Sequence, residues 1–270
     1  MHERAFHPSS LRRTVLRMAF AGSSVHIGCA FSIVEILAVL YRDHLGAGRG
    51  ADPKAEDRNY LVLSKGHGVM AQYACLYEAG VLDDDDMDKY FGDGTRLKGL
   101  SDIHVPGCEV TSGTLGHGLS VGVGLALAAR RRGTAQRCYA IVGDGEMNEG
   151  PIWEALQFAS HFKLDNLVVI VDENRFQAMG TTEEVMALGS LHAKFESFGF
   201  DVRSLDGHDE SALDGALREL EDLANGRPKA IVARTVKGKG VSFMEHDNKW
   251  HYTRLTDVSF RSAMDELESP

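Results

Sequence analysis

Residues 142–174 read VGDGEMNEGPIWEALQFASHFKLDNLVVIVDEN. An apolar run, CYAIVGD (Cys138–Asp144), closes on Gly143-Asp144-Gly145, and a second, NLVVIVDEN (Asn166–Asn174), closes on Asp172-Glu173-Asn174. Between them, Pro151–Phe162 reads as a helix with proline near its first turn. Two short, β-branched apolar runs flanking a helix describe neighbouring strands of a parallel sheet buried on both faces. Their carboxyl ends lie side by side, at the sheet edge where ligands bind. Asp144 and Asn174 converge there on this reading. A carboxylate and an amide oxygen suit a hard cation such as Mg2+, which keeps water and binds phosphates. Gly145 lets the backbone approach those phosphates closely.

The alternation continues outward. Downstream, a helix (Leu191–Phe198), a strand (Phe200–Ser204), a helix (Glu210–Asn225) and a strand (Lys229–Arg234) follow in turn. Upstream stand a small-residue helix (Leu119–Arg132), a helix over Gly66–Ala79 and a strand over Tyr60–Ser64. Further upstream, Ser32 is expected to cap the helix SIVEILAVLYRDHL, with a glycine-bearing loop over Gly46–Arg58 after it. Leu11–Ala21 is expected to be a helix capped by Ser9 or Ser10 and stopped by Gly22. The pattern predicts an α/β fold with a parallel sheet and helices on both faces. Residues 1–270 are expected to form one domain with an N-terminal helical arm and a C-terminal tail. Asp83–Asp86 reads as a helix start, with carboxylates at the positive dipole end, rather than as a metal site. Phe91–Gly118 is too long and aperiodic for a plain connection and reads as a functional loop.

Composition removes several function classes. Hydrophobic residues make up 43% and charged residues 25%, so the chain has the balance of a globular protein. Acidic residues outnumber basic ones, 39 to 29, for a net charge of −10, which disfavours nucleic acid as a partner. No apolar run reaches the roughly 18 residues of a membrane span, and the N-terminus has no signal core, which points to the cytoplasm. Cys29, Cys75, Cys108 and Cys138 form no C-x-x-C pair and read as free cytoplasmic thiols. No G-x-G-x-x-G follows a strand, which disfavours a dinucleotide site.

The order strand, GDG, helix, strand, Asn resembles the signature of thiamine-diphosphate enzymes. Within that superfamily the chain is similar to the transketolases. VHIGCAFSIVEILAVLY (Val25–Tyr41) resembles their first histidine-bearing loop and helix, and LSKGHGVMAQY (Leu63–Tyr73) their S-x-GH segment. DIHVPGCEVTSGTLGHGLSVGVGLALA (Asp102–Ala128) resembles the loop with H-P and T-G-x-L-G-x-G, and TVKGKGVSFMEHDNKWH (Thr235–His251) the K-G-x-G…WHG segment. The match runs from about Thr14 to Tyr252. A full transketolase chain is far longer: its first part binds the diphosphate, and its second binds the pyrimidine ring and supplies the activating glutamate. This sequence resembles the first part, the N-terminal subunit of a split transketolase.

The resemblance implies thiamine diphosphate and Mg2+ (or another divalent cation) as cofactors. Asp144, Asn174 and the backbone carbonyl of Phe176 would hold the cation. Gly113, Leu115 and Gly145 would contact the cofactor, with Lys65, His67, Lys237 and His251 around the diphosphate and reacting carbons. His26, His104 and His251 would face sugar hydroxyls, and Glu149 would sit near the subunit interface. The sequence departs from the family at His26, which lacks the following proline, at His104, where Val105 precedes Pro106, and at His117, where glutamine is common. Cys29 replaces a small polar residue.

The implied reaction is transfer of a two-carbon ketol unit from a ketose phosphate to an aldose or its phosphate. Imidazoles suit the proton transfers this needs near neutral pH. The implied partner is a C-terminal, pyrimidine-binding subunit in an α2β2 assembly, with sugar phosphates as substrates. A specialised ketose, sulfonated or branched, fits the same residues. The α subunit of a 2-oxo-acid dehydrogenase also carries GDG…N but lacks the GH and WH segments, and a deoxyxylulose-phosphate-synthase-like chain is normally single and long. A non-catalytic relative would most simply have lost Asp144, Gly145 or Asn174.

Overall fold

A computed structural model describes residues 6–46, 55 and 57–268, so most of the loop expected over 46–58 lies outside the described residues. In chain order the strands are β1 (Tyr60–Leu63), β2 (Cys138–Gly143), β3 (Leu167–Glu173), β4 (Phe176–Gln177), β5 (Gly180–Thr181), β6 (Asp201–Asp206) and β7 (Lys229–Arg234). Five of them pair in parallel in the order β1-β2-β3-β7-β6, while β4 and β5 form a small antiparallel hairpin. The helices are α1 (Pro8–Ala21), α2 (Ile27–Phe31), α3 (Val34–Val39), α4 (Val69–Glu78), α5 (Asp84–Asp88), α6 (Gly118–Arg132), α7 (Gly150–His161), α8 (Thr182–Met186), α9 (Leu191–Ser197), α10 (Glu210–Glu221) and α11 (Asp257–Glu268).

The register shows why both faces are covered. Val62, Ala140, Val169 and Ala230 stand in one row across the sheet, and all four enter the core formed with α6, α7 and α9. The next row, Leu63, Ile141, Ile170 and Ile231, points the other way, into the core formed with α1–α4 and α10. A period of two in fully apolar strands therefore feeds two separate cores. Each Val, Leu or Ile among them, taken from water, contributes about 1.5–3 kcal/mol, which fixes the sheet as the frame for whatever its carboxyl edge holds.

Four expectations need correction. First, α1 begins at Pro8, whose fixed φ suits a first turn, so Ser9 and Ser10 lie inside the helix and neither caps it. Second, Ser32 does not start a helix: it closes α2 as its C-terminal cap, and Ile33 stands at the head of α3. The Ser32 hydroxyl donates to Asp172 Oδ2 at 2.8 Å, with Cys29 O also near at 3.2 Å, and the helix is interrupted there between α2 and α3, the latter running on into a π-helical turn at Leu40–His44. Third, the N-terminal helices pack back as the layer on one sheet face instead of forming an arm. Fourth, the C-terminal tail contains α11, which sinks Ala263 and Leu267 into the same layer and stacks Phe260 on Phe20 of α1 at 4.4 Å. Asp83 does cap α5, in a reciprocal capping box with Asp86.

Candidate active site

Gly143 pairs with Asp172, so β2 and β3 leave the sheet together and deliver Asp144 and Asn174 to one corner. Asp144 accepts hydrogen bonds from the amides of Gly145 (2.7 Å) and Arg175. Asn174 Oδ1 accepts from Phe176 N at 3.0 Å and its Nδ2 donates to Asp172 Oδ2 at 2.8 Å. Burial, and next the charge of Asp172, push the Asp144 carboxyl up to about 7. A desolvated carboxylate of this kind is relieved by a nearby cation. Among the described residues no three His, Cys, Asp or Glu side chains form a metal cage on their own. Asp144 and Asn174 instead present a partial, all-oxygen set, the kind that Mg2+ completes with water and phosphate oxygens.

Behind this corner lies Asp172, which is fully buried. Burial alone would raise its carboxyl, but the charge of Lys65, together with donation from Lys65, Thr235 and Ser32, holds it low. Lys65 also donates to Cys29 O (3.2 Å) and is 1% exposed, so its charge is engaged by Asp172 at the back of the cleft. Sequence reasoning gave Asp172 no role. The signal was a carboxylate closing an otherwise apolar strand, which must be paired if buried.

The cleft in front of the corner encloses about 450 Å3. Two of its lining residues, Asn148 and Gln177, have buried amide nitrogens without a partner. Orphaned donors are costly unless a ligand accepts from them, and beside Asp144 they fit a diphosphate with its cation. A Cβ on Gly145 would lie 2.9 Å from Gln177 Cγ, so glycine keeps the floor open. The long loop before α6 borders the cleft, with Gly113 and Leu115 in its wall. It is tied down by Ser112 Oγ donating to Leu63 O (2.8 Å) and by Gly116 N donating to Glu146 Oε1 (3.0 Å). Glu146 also accepts from Ser64 Oγ (2.6 Å) and Gly143 N (3.0 Å), although burial raises its carboxyl. This anchor, too, escaped the sequence reading, since nothing local marks Glu146 as buried.

Three imidazoles form the opposite wall. The ring centroids of His26, His67 and His251 lie 5.4–5.7 Å apart pairwise. His26 holds φ 67° at the head of α2, an unusual conformation for a non-glycine residue, and thereby turns its ring toward the others. Burial and then Lys237 lower the His26 pKa, burial and Lys65 take His67 well below the ordinary value, and burial and Lys237 bring His251 down to about 3. All three are thus neutral imidazoles, able to accept or relay a proton. Lys237 sits behind His251, with Nζ 2.9 Å from its Nδ1 and 2.7 Å from Asn248 Oδ1, and its own pKa is lowered by burial. An ammonium only donates, so Nδ1 accepts and Nε2 carries the proton. The Cys29 thiol lies 3.6 Å from the same Nδ1, and burial raises its pKa.

The structure therefore gathers His26, Lys65, His67, Gly113, Leu115, Asp144, Gly145, Glu149, Asn174, Phe176 and His251 around one cleft, with Lys237 directly behind. His104 is not brought in: its side chain is 86% exposed and its ring pairs with Asp102 at 2.7 Å. His117 is also exposed, its ring 3.1 Å from Leu115 O.

Comparison with known proteins identifies the family. The family model "Transketolase, thiamine diphosphate binding domain" matches residues 11–267. The chain is 39% identical over 256 residues to one of the subunits of apulose-4-phosphate transketolase from Phocaeicola vulgatus, covering 95% of this chain and 90% of that one. It is 39% identical over 244 residues to the 6-deoxy-6-sulfo-D-fructose transketolase subunit SqwG of a Clostridium species, covering 90% and 88%. Among solved structures, transketolase from Leishmania mexicana superposes with a TM-score of 0.87 at 33% identity, over 96% of this chain but 40% of that one. Because the family model spans residues 11–267 and relatives of similar length share more than a third of their residues with it, the chain belongs to the transketolase family and carries its thiamine diphosphate binding domain.

Proposed function

We propose that this chain is the N-terminal, diphosphate-binding subunit of a split transketolase, residues 1–270 acting as one unit that transfers a two-carbon ketol group between sugar phosphates. The observation that carries this reading is the single cleft that joins the Asp144–Asn174 corner to the His26–His67–His251 wall. Asp144, Asn174 and the Phe176 carbonyl would hold a divalent cation. Gly145, Asn148 and Gln177 would receive the diphosphate, and Gly113 and Leu115 would border the cofactor. When bound, thiamine diphosphate supplies a nucleophilic carbon and an electron sink. The protein's part is to orient the sugar and move protons. His67 and His251, neutral and mutually in contact, can take a hydroxyl proton of the sugar and return it, and His26 can orient the substrate. His104 can join them only from the loop surface.

The site is one-sided, with Leu115 in its wall and Leu115, Val121, Phe158 and Phe162 exposed to solvent. This supports a C-terminal, pyrimidine-binding partner that completes the pocket, with Glu149 near the joint, in an α2β2 assembly. Relatives of comparable length are themselves named as transketolase subunits, which agrees. The four cysteines are buried and unpaired, in keeping with a cytoplasmic setting. Among the described residues no helix is long and apolar enough to cross a membrane.

A second reading concerns the sugar. Two similar proteins are named for apulose-4-phosphate and for 6-deoxy-6-sulfo-D-fructose. Their names favour a specialised, branched or sulfonated ketose over an ordinary pentose phosphate. A two-substrate ketol-transfer assay, run with this chain alone and with its C-terminal partner on both sugar classes, tests the proposal. Turnover only with the partner supports it, and turnover by the chain alone would count against the split assembly.

A further inference from the structure

A buried polar chain runs behind the imidazole wall. Arg12 grips Glu35 with its two terminal guanidinium nitrogens, Nη1 and Nη2, at 2.7 and 2.8 Å, and its Nη2 also donates to Phe31 O at 3.2 Å. Glu35 Oε2 lies 2.9 Å from His208 Nδ1, and the amide of Val236 donates to His208 Nε2 at 2.8 Å. A backbone amide cannot accept, so Nε2 is bare and Nδ1 carries the proton given to Glu35. The next residue is Lys237, which holds His251. The same segment is fixed on its other side by Thr235 N donating to Glu173 O (3.2 Å) and Gly238 N donating to Gly28 O (3.1 Å). His208 itself is seated by its amide on Asp206 Oδ1 at 2.9 Å. None of Arg12, Glu35 or His208 borders the cleft.

We propose that His208 is a positioning residue for the reaction. Locked by Glu35 as the Nδ1–H tautomer, it holds the Val236 amide and so sets the height at which Lys237 meets Nδ1 of His251. Arg12 keeps the Glu35 carboxylate aimed, and the chain ends in a His251 ring with a defined Nε2–H facing the cleft. This deepens the transketolase reading and rests on it for its catalytic consequence, but the relay is a property of the chain by itself. A tautomer-fixing partner of this kind acts on reactivity through another residue, as outer carboxylates do for ligand histidines.

The test begins with ring 15N NMR of the histidine-labelled full chain without cofactor. His208 is expected to show a protonated Nδ1 and a bare Nε2, and His251 a bare Nδ1 and a protonated Nε2. In His208→Ala, Val236 amide exchange should quicken, His251 should become a mixture of tautomers, and kcat in the reconstituted enzyme should fall about tenfold with KM little changed. His208→Gln, whose side-chain oxygen can reach the Val236 amide, should restore the His251 tautomer and most of kcat. A protonated Nε2 on His208, or unchanged Val236 exchange and His251 tautomer in His208→Ala, overturns the proposal. Should the alanine variant fail to fold, the wild-type spectrum and the comparison of His208→Gln with His208→Met decide the matter. Absence of ketol transfer with intact ring tautomers would sink the enzymatic reading and leave the relay standing.

Discussion

Nζ of Lys237 lies 2.9 Å from Nδ1 of His251. His251 shares the cleft wall with Cys29, and the lysine behind it is also held by Asn248 Oδ1 at 2.7 Å. Burial first, and the Lys237 charge second, hold His251 at a pKa of about 3 against an ordinary 6.5. Replacing the lysine removes the second cause and leaves the first. Lys237→Met should therefore raise the His251 pKa toward the ordinary range, moving the acidic limb of its titration up. Histidine NMR titration of the two chains checks this, and an unmoved His251 would show that the Lys237 charge does not set its state.

His67 and His251 are neutral at working pH and their rings lie 5.7 Å apart at the cleft wall. Each substitution to alanine should lower kcat by about 10²–10⁴-fold, the range for a positioned acid or base. Thiamine diphosphate affinity should change far less, because Asp144 and Asn174 are untouched. Ketol transfer and calorimetric cofactor titration, both on the reconstituted enzyme, separate the two quantities. Wild-type turnover in both variants would make these histidines structural.

Glu146 satisfies Ser64 Oγ, Gly116 N and Gly143 N at once. Glu146→Ala leaves those buried donors unpaired at about 1–3 kcal/mol each. We expect a loss of about 3 kcal/mol or more in urea denaturation, together with weaker cofactor binding as the loop over Gly113 and Leu115 loosens. Glu146→Gln should be intermediate, since its amide group sets a donor against a donor on one side.

The sheet was legible because its strands are short β-branched runs that end on chemistry-bearing residues. Register then placed Asp144 and Asn174 together, and the glycine-flanked and tryptophan-flanked histidines followed from their motifs. What stayed hidden depends on distant partners. Ser32 looks like a helix cap in isolation, but its hydroxyl serves Asp172, 140 residues on. Asp172, Glu146 and His208 have roles only because the fold buries them against donors that local pattern does not reveal. His104 sits inside a family-like loop segment, yet its ring points to solvent and binds Asp102, an orientation no motif records. The α11 helix is amphipathic but weakly apolar, and its few buried residues give little periodic signal.

Glu35 links this buried chemistry to stability. Burial by itself would raise its carboxyl, but the hydrogen bond from His208 and the charge and hydrogen bonds of Arg12 bring it to about 2, against an ordinary 4.5. A carboxyl depressed on folding contributes stability above its unfolded value and loses it as pH falls through the folded one. The window is thus from about pH 4.5 down to 2, and the amount is about 3 kcal/mol. Denaturant midpoints followed from pH 6 downward should drop through this window, and Glu35→Gln should flatten that part of the curve. An equally steep fall in the variant would assign the acid sensitivity to other carboxyls.

On the proposed function, Asp144 and Asn174 bind thiamine diphosphate through a divalent cation. Calorimetric titration of the cofactor into the chain assembled with its C-terminal partner tests it most directly, run with Mg2+, with chelator, and with Asp144→Ala. Saturable binding with Mg2+ is expected, lost with chelator and lost in Asp144→Ala, a several-kcal/mol effect. Wild-type affinity in Asp144→Ala would contradict it.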